Sequence, residues 1–376
     1  MRHIRRFMTL TSIDNRRYTR HFPLIGQQGQ VRLFNSRILC VGAGGLGSPV
    51  LQYLAAAGIG TLGIIDGDQV EISNLQRQVI FTPNDIGKNK AVQAKHYLEQ
   101  FNPSLKVITY EIFLREDNAE KTVRDFEIII DCTDNYRTRY LLNNVCVKHK
   151  KPLIFAGIHQ FQGQCSVFNY KEGPCYCCLY EEALSPKELI GNCTLGGVLG
   201  VLPGILGCIQ ATEAIKILLN KEKVLSGRLL TIDVLSMKVK EFIISKNPNC
   251  PCCIEGKSIS EFFPTSKDQE QIQEIEVKTL SQWLEKSNAD ILLIDVREFY
   301  ERDICHIGGL HIPLCKLNKL LTTLPRDKFI VCYCKSGQRS YYAAQLLKDS
   351  GFTQVSSLKG GILAWIDFID SSLASY

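Results

Sequence analysis

Three groups of residues in this sequence have the types and spacing to do chemistry. The first is Gly42-Ala43-Gly44-Gly45-Leu46-Gly47, which fits G-x-G-x-x-G, with Asp66 closing the next apolar run. Glycines let a backbone approach phosphates, a helix N-terminus favours their charge, and an aspartate can hold ribose hydroxyls. Alone, the pattern suits an NAD(P)-binding oxidoreductase as well as any other nucleotide enzyme. The second group is two C-x-x-C pairs, Cys175/Cys178 and Cys250/Cys253. The third is Cys334-Lys335-Ser336-Gly337-Gln338-Arg339-Ser340, a thiol followed by small and basic residues.

Three further segments change the reading of the glycine loop: Ser73-Asn74-Leu75-Gln76-Arg77-Gln78, Gly87-Lys88-Asn89-Lys90 and Asp131-Cys132-Thr133-Asp134-Asn135. Hydride transfer has no use for this set. Nucleotidyl transfer has: attack on an α-phosphorus expels pyrophosphate, so cations must hold the leaving phosphates and a carboxylate must hold Mg²⁺. The backbone at Gly42, Gly44, Gly45 and Gly47, together with Arg77 and Lys90, supplies the positive ends, and Asp134 supplies the metal ligand. The set points to ATP with Mg²⁺. No Walker A loop competes, because Gly256-Lys257-Ser258 has Pro251 where the first glycine would stand. Asn74, Asp131, Thr133 and Asn135 are also turn-forming types.

Four thiolates from Cys175, Cys178, Cys250 and Cys253 would make a closed tetrahedral Zn²⁺ site. A redox dithiol is the alternative if either pair opens a helix. Cys177 and Cys252 add ambiguity, although the adjacent Cys252 and Cys253 are poorly placed to bind one ion together. Cys193 lies in Asn192-Cys193-Thr194-Leu195-Gly196-Gly197. It is either a small buried apolar residue or a loop thiol that links enzyme and substrate.

The Cys334 turn sits between an apolar run and a helix-forming stretch. Such a turn aims successive backbone N–H groups at one point. With Lys335, Arg339 and the helix N-terminus, it should lower the thiol pKa and stabilise an anionic persulfide. Phosphatase loops run Cys-x5-Arg around a tetrahedral phosphate. Here Cys334 and Arg339 are spaced Cys-x4-Arg, a tighter cradle suited to one sulfur atom.

The elements that must position these groups alternate between strand and helix. Arg37–Val41 and Glu127–Asp131 read as buried strands, and Thr61–Asp66, Val107–Tyr110 and Pro152–Phe155 as further strands. The glycine turn leads into a helix at Ser48–Ala57. This is a doubly wound, Rossmann-like α/β sheet. Gln164–Asn169, Arg228–Asp233 and Lys238–Ile244 read as later antiparallel strands, so the sheet is mixed. Residues 257–272 are polar, contain Pro264 and read as a linker. A second, smaller α/β series follows at Ile291–Asp295, Phe329–Tyr333 and Val355–Leu358, with a helix at Ser340–Lys348. The expected domains are 1–256 and 273–376.

Bulk properties exclude several classes. The chain of 376 residues carries a net charge of +6. Much of the excess lies in Arg2, Arg5, Arg6, Arg16, Arg17 and Arg20. This is a solvated basic arm rather than a face with stacking aromatics, so nucleic-acid binding is not expected. Sixteen cysteines and no apolar segment after Met1–Arg6 point to reduced thiols and a cytoplasmic protein. Leu189–Thr212 carries no charge but is rich in glycine, and reads as a loop entering a buried helix rather than a membrane span.

The segments Arg17-Tyr18-Thr19-Arg20, Gly42–Gly47, Ser73–Gln78, Asp131–Asn135, Gly173-Pro174-Cys175-Tyr176-Cys177-Cys178-Leu179 and Gly196–Gly200 together resemble the ubiquitin-activating-enzyme-like superfamily, in particular its ThiF-type and molybdopterin-synthase adenylyltransferase members. The resemblance runs from Arg17 to about Gly256. It implies that Asp66 binds ribose, that Asn74, Arg77 and Lys90 contact phosphates and that Asp134 ligates Mg²⁺. It also implies a homodimer in which Arg20 reaches the partner's site, and it supports the zinc pairing. The implied substrate is a small ubiquitin-like sulfur-carrier protein ending in Gly-Gly, whose carboxylate becomes an acyl-adenylate. His21 stands where the family usually has Gln, and Leu195 replaces a usual acidic residue.

Asp295-Val296-Arg297-Glu298, His306-Ile307-Gly308-Gly309 and Gly360-Gly361 with Trp365 make residues 274–368 resemble rhodanese domains. The resemblance implies that Cys334 carries a sulfane sulfur. Asp295, Arg297, His306 and Trp365 read as structural, and Cys305 and Cys332 as packing. The pairing implies a carrier thiocarboxylate for molybdopterin or thiamin, with a cysteine desulfurase as a possible sulfur source. A persulfide-sensing scaffold is the other reading.

Overall fold

Arg37-Ile-Leu-Cys-Val41 has no polar residue after its first position, because both of its faces are covered. Ile38 and Cys40 join one core, beneath the helices Gly47–Ala57 and Lys90–Phe101, while Leu39 and Val41 join another, beneath the helix Tyr136–Lys148. That two-residue alternation between two covered faces is why a central parallel strand reads as a continuous apolar run. The structure, a computed structural model, describes residues 16–181, 197–262, 272–286 and 290–375. Contacts divide these into two units, 16–181 with 197–262, and 272–286 with 290–375.

The first unit holds one eight-stranded sheet. Its strands are β1 (Arg37–Val41), β2 (Thr61–Ile65), β3 (Lys106–Tyr110), β4 (Ile128–Asp131), β5 (Leu153–His159), β6 (Gln162–Phe168), β7 (Arg228–Asp233) and β8 (Lys238–Ile243), in the order β3-β2-β1-β4-β5-β6-β7-β8. The strands β1 to β5 are parallel, and β6, β7 and β8 run antiparallel to their neighbours. From β1 the chain winds outward to β3, then crosses to β4. The crevice between the ends of β1 and β4 is therefore the switch point, where such sheets bind ligands.

The helix Val201–Leu218 is long and apolar enough to cross a membrane by composition. It packs instead on β5, β6 and the helix Gly47–Ala57, burying Leu202, Leu206, Ala214 and Ile217 along one side. The basic arm is not merely solvated. From Arg16 on it lies against the sheet unit: Tyr18 is 2% exposed, its hydroxyl accepts from Asn102 Nδ2 at 3.1 Å, and Arg17 donates to Phe101 O at 2.7 Å. The stretch expected to be a linker begins with a helix, Ile259–Phe262, whose Ile259 is buried in the first unit's core.

The second unit is a five-stranded parallel sheet in the order β11-β10-β12-β13-β9. Its strands are β9 (Gln273–Ile275), β10 (Ile291–Asp295), β11 (Leu310–His311), β12 (Phe329–Tyr333) and β13 (Val355–Leu358). β10, β12 and β13 match the apolar runs. β9 and β11 escape sequence reading because three residues, Q-E-I, and two, L-H, carry no period.

Candidate functional site

The glycine loop leaves β1 and enters the helix Gly47–Ala57 at the switch point. Gly42 has φ of 99°, and a Cβ there would lie 2.7 Å from Cys132 O. A Cβ on Gly47 would lie 2.1 Å from Gly42 O. Both positions need glycine for the turn itself. Gly44 and Gly45 are different: a Cβ on Gly44 would have only Gln78 Nε2 near, at 3.5 Å, and one on Gly45 would meet Pro203 at 3.2 Å and Arg77 Cγ at 3.5 Å. Gly44 leaves room over the loop, whereas Pro203 crowds Gly45, and the Arg77-Gln78 segment borders both.

Asp66 stands just beyond β2. Its carboxylate accepts from Ala43 N at 2.8 Å and from Asp68 N at 2.9 Å, so it ties the loop to the next strand. Burial pushes this carboxyl above the ordinary aspartate value, and the two amides and the charge of Lys90 oppose that rise. Lys90 opens the helix Lys90–Phe101, which Asn89 caps by accepting from Val92 N at 3.2 Å. The Lys90 ammonium pairs with Asp68 at 3.2 Å and is 9% exposed. Arg77 donates to Ser73 O at 2.9 Å. Asn74 is 6% exposed, and its Oδ1 accepts from Glu71 N at 3.2 Å, which makes it in this state the clasp of a 3-10 turn rather than an open contact. Arg20 is exposed on the arm.

Asp131 ends β4 and Asp134 follows it into the crevice. Asp131 is fully buried, and its Oδ1 accepts from Thr133 N at 2.9 Å and Thr133 Oγ1 at 2.7 Å. Burial raises its pKa, against the pull of Arg139 and the Thr133 bonds. Asp134 is exposed. A cavity of about 500 Å³ lies at the start of the helix Tyr136–Lys148, lined by Leu114, Asp117, Asn135, Arg137 and Leu141 among others, with Asp134 outside its lining. An exposed carboxylate suits a hydrated hard cation, which keeps most of its waters.

The four cysteines of the two C-x-x-C pairs come together. Cys175 and Cys250 sulfurs are 3.5 Å apart, Cys175 and Cys178 3.8 Å, and Cys178 and Cys253 3.7 Å. A Zn–S bond of about 2.3 Å sets the edges of a tetrahedron at about 3.8 Å, so these sulfurs fit one such ion. They join the segment around the short helix Tyr176–Leu179 to the turn after Asn249. Asn143, which the sequence did not flag, lies beneath them and donates to Cys177 and Cys252 at 3.2 Å each. Cys193 lies outside the described residues.

In the second unit, Cys334 follows β12 and is 1% exposed. Its sulfur accepts from Gly337 N at 3.2 Å and lies 3.5 Å from Ser340 Oγ, which Ser357 Oγ contacts at 2.9 Å. Gly337 takes φ of 95° so that the loop can turn back into the helix Gln338–Asp349. Arg339, expected to face the sulfur, is held in a bidentate pair with Glu301, at 2.6 Å on each arm. Glu301 lies four residues after Arg297 on a helix whose charges gave no sequence signal for this pairing. Asp295 and Arg297 form a fully buried pair at 2.7 Å, with Arg297 also donating to Cys305 O at 2.8 Å. His306 Nδ1 accepts from Gly308 N at 3.1 Å, and Trp365, Cys305 and Cys332 are buried.

Comparison with known proteins gives the same division. The ThiF family matches residues 16–252, and the rhodanese-like domain matches residues 276–367. The chain is 39% identical over 374 residues to a Mycobacterium tuberculosis protein named probable adenylyltransferase/sulfurtransferase MoeZ, covering 96% of this chain and 95% of that one. It is 38% identical over 358 residues to a Porphyra purpurea protein named probable molybdopterin-synthase adenylyltransferase, covering 94% and 93%. Among solved structures, E. coli MccB with MccA-N7isoASN is similar in fold, with a TM-score of 0.58 at 23% identity over 65% of this chain and 76% of that chain.

Proposed function

Because the chain belongs to the ThiF family and carries a C-terminal rhodanese-like domain, we propose that it adenylates the C-terminal glycine of a small ubiquitin-like sulfur-carrier protein and then exchanges the AMP for sulfur carried on Cys334. The observation that carries this reading is the presence, in one chain, of a glycine loop at a switch point and a cysteine whose sulfur accepts from the Gly337 amide of its own turn.

In the first step the carrier's carboxylate attacks the α-phosphorus of ATP and pyrophosphate leaves. The open backbone at Gly44 and the N-terminus of the helix Gly47–Ala57 receive phosphate charge. Arg77 and Lys90 hold the leaving phosphates, for which Lys90 must exchange its contact with Asp68. Asp66 orients the ribose while keeping the loop closed through Ala43 N. Asp134 would hold Mg²⁺, which neutralises phosphate charge when bound. In the second step the terminal sulfur of a Cys334 persulfide attacks the acyl carbonyl and AMP leaves. A thiol then attacks the Cys334 sulfur of the acyl disulfide, forming a disulfide with Cys334 and releasing the carrier thiocarboxylate.

Cys175, Cys178, Cys250 and Cys253 would hold a structural Zn²⁺. We assign the homodimer, the reach of Arg20 into the partner's site, a cysteine desulfurase as sulfur source and a cytoplasmic location to the same reading. Cys193 is the proposed covalent attachment point, tested by thiocarboxylate output from Cys193→Ala. The relative from Porphyra purpurea favours molybdopterin as the pathway. The test is ATP–pyrophosphate exchange with candidate Gly-Gly-ended carriers. Exchange should require the carrier and fall at least about a hundredfold in Asp134→Asn. Saturable NAD(P) binding with no ATP turnover would sink the reading.

A further inference from the structure

Each half of the cysteine cage carries one more thiol than a four-ligand ion uses. The segments read Cys175-Tyr176-Cys177-Cys178 and Cys250-Pro251-Cys252-Cys253, with the extra cysteine at the same inner place in each. The sulfurs of Cys177 and Cys252 lie within 4.8 Å of one another and of Cys175. All three residues are 3% exposed or less.

Asn143 shows what these sulfurs are arranged to be. Its side chain is fully buried, and its Oδ1 accepts from Tyr176 N at 2.8 Å. That bond fixes the amide orientation, since a flip would set its N–H₂ against an N–H. Nδ2 is thereby directed to Cys177 and Cys252 at 3.2 Å each, and Asn144 Nδ2 adds a longer approach to Cys252 at 3.9 Å. Amide donors aimed at sulfur favour the thiolate and are the ordinary outer shell of a metal–thiolate site.

We propose that Cys177, Cys252 and the shared Cys175 form a second site, for Cu(I), with Cys175 bridging it to the four-thiolate zinc site. Among the described residues, no fourth cysteine, histidine or carboxylate joins this group of three. Structural Zn²⁺ takes four ligands. A buried set of three soft sulfurs suits a soft monovalent ion instead. Ligation releases one proton from each of the Cys177 and Cys252 thiols and oxidises nothing. The site uses neither ATP nor Cys334, and rests on the zinc reading only through Cys175.

The test uses the full chain, loaded with zinc and titrated anaerobically with Cu(I) against a competing Cu(I) chelator. Zinc and copper are each counted after desalting, in the wild type and in the double variant Cys177→Ser/Cys252→Ser. The wild type should retain about one copper more than the variant, with equal zinc in both. X-ray absorption on the wild type should show copper with three sulfur neighbours. Equal copper in both proteins, copper entering only as zinc leaves, or oxygen and nitrogen neighbours at the copper edge each overturn the proposal. The last result needs no variant to fold. Zinc below half an equivalent before copper is added sinks the four-thiolate reading instead, so the two failures are distinguishable.

Discussion

The Arg339 guanidinium meets the Glu301 carboxylate through two bonds of 2.6 Å, Nη1 to Oε2 and Nη2 to Oε1. Arg339 stands at the start of the helix that follows the Cys334 turn, and Glu301 belongs to the helix Phe299–Ile304. The pair therefore anchors the reactive turn to a neighbouring element. The side chains are 16% and 4% exposed, so little water screens them.

Removing one partner leaves a poorly solvated charge. Glu301→Ala should destabilise the second unit by about 3 kcal/mol and lower sulfur transfer from Cys334. ATP–pyrophosphate exchange, a property of the other unit, should be unchanged. Denaturant unfolding and the two assays check this; equal loss in both assays would contradict it.

Gly44 and Gly47 should separate nucleotide binding from folding. The space over Gly44 accepts a methyl, whereas a Cβ on Gly47 would lie 2.1 Å from Gly42 O. Gly44→Ala should keep its thermal stability yet bind ATP at least about tenfold more weakly, because the methyl meets phosphate only when nucleotide is present. Gly47→Ala should lose both stability and binding. Calorimetric titration beside thermal unfolding tests the split.

Asp131 gives a pH dependence with a definite sign. Burial raises its folded pKa above the unfolded value of 3.8. Oδ2 has no hydrogen-bond partner among the described residues. The folded state thus holds this proton more tightly. The group's contribution is most favourable below 3.8 and is lost as pH rises through the interval up to the folded value. Asp131→Asn removes the titration and keeps an oxygen for Thr133. The variant should unfold at a higher temperature than wild type near neutral pH, and the gap should close as pH falls through that interval. A gap that widens on acidification would be the wrong sign.

The zinc reading predicts a local dependence. Cys250→Ser, or a strong chelator, should bring zinc below half an equivalent. It should also lower the unfolding temperature of the first unit while leaving that of the second in place. Differential scanning calorimetry resolves the two transitions.

Much of this architecture could be read from residue order. β1, β2 and β4 are apolar apart from one end residue each, Arg37, Thr61 and Asp131, because both faces are covered, and each is followed by the polar or glycine-rich turn that carries a site residue. The cage was legible as two spaced cysteine pairs. What escaped depends on distance in the chain rather than on local pattern. Glu301 and Asn143 are ordinary helix residues until folding sets them against Arg339 and against Cys177 and Cys252. Lys90 showed its charge but not its pairing with Asp68, and Asn74 showed a polar amide but not its role as a turn clasp. The buried Tyr18 turned an arm that looked solvated into part of the first unit.

The central claim joins two half-reactions in one chain, and mass spectrometry of the carrier's C-terminus tests it most directly. Given ATP, Mg²⁺ and a persulfide donor, the wild type should convert the terminal carboxylate to a thiocarboxylate, seen as one oxygen replaced by sulfur. Cys334→Ser should form none while keeping carrier-dependent ATP–pyrophosphate exchange. Thiocarboxylate formed undiminished by Cys334→Ser, or no exchange with any Gly-Gly-ended carrier, would contradict the claim.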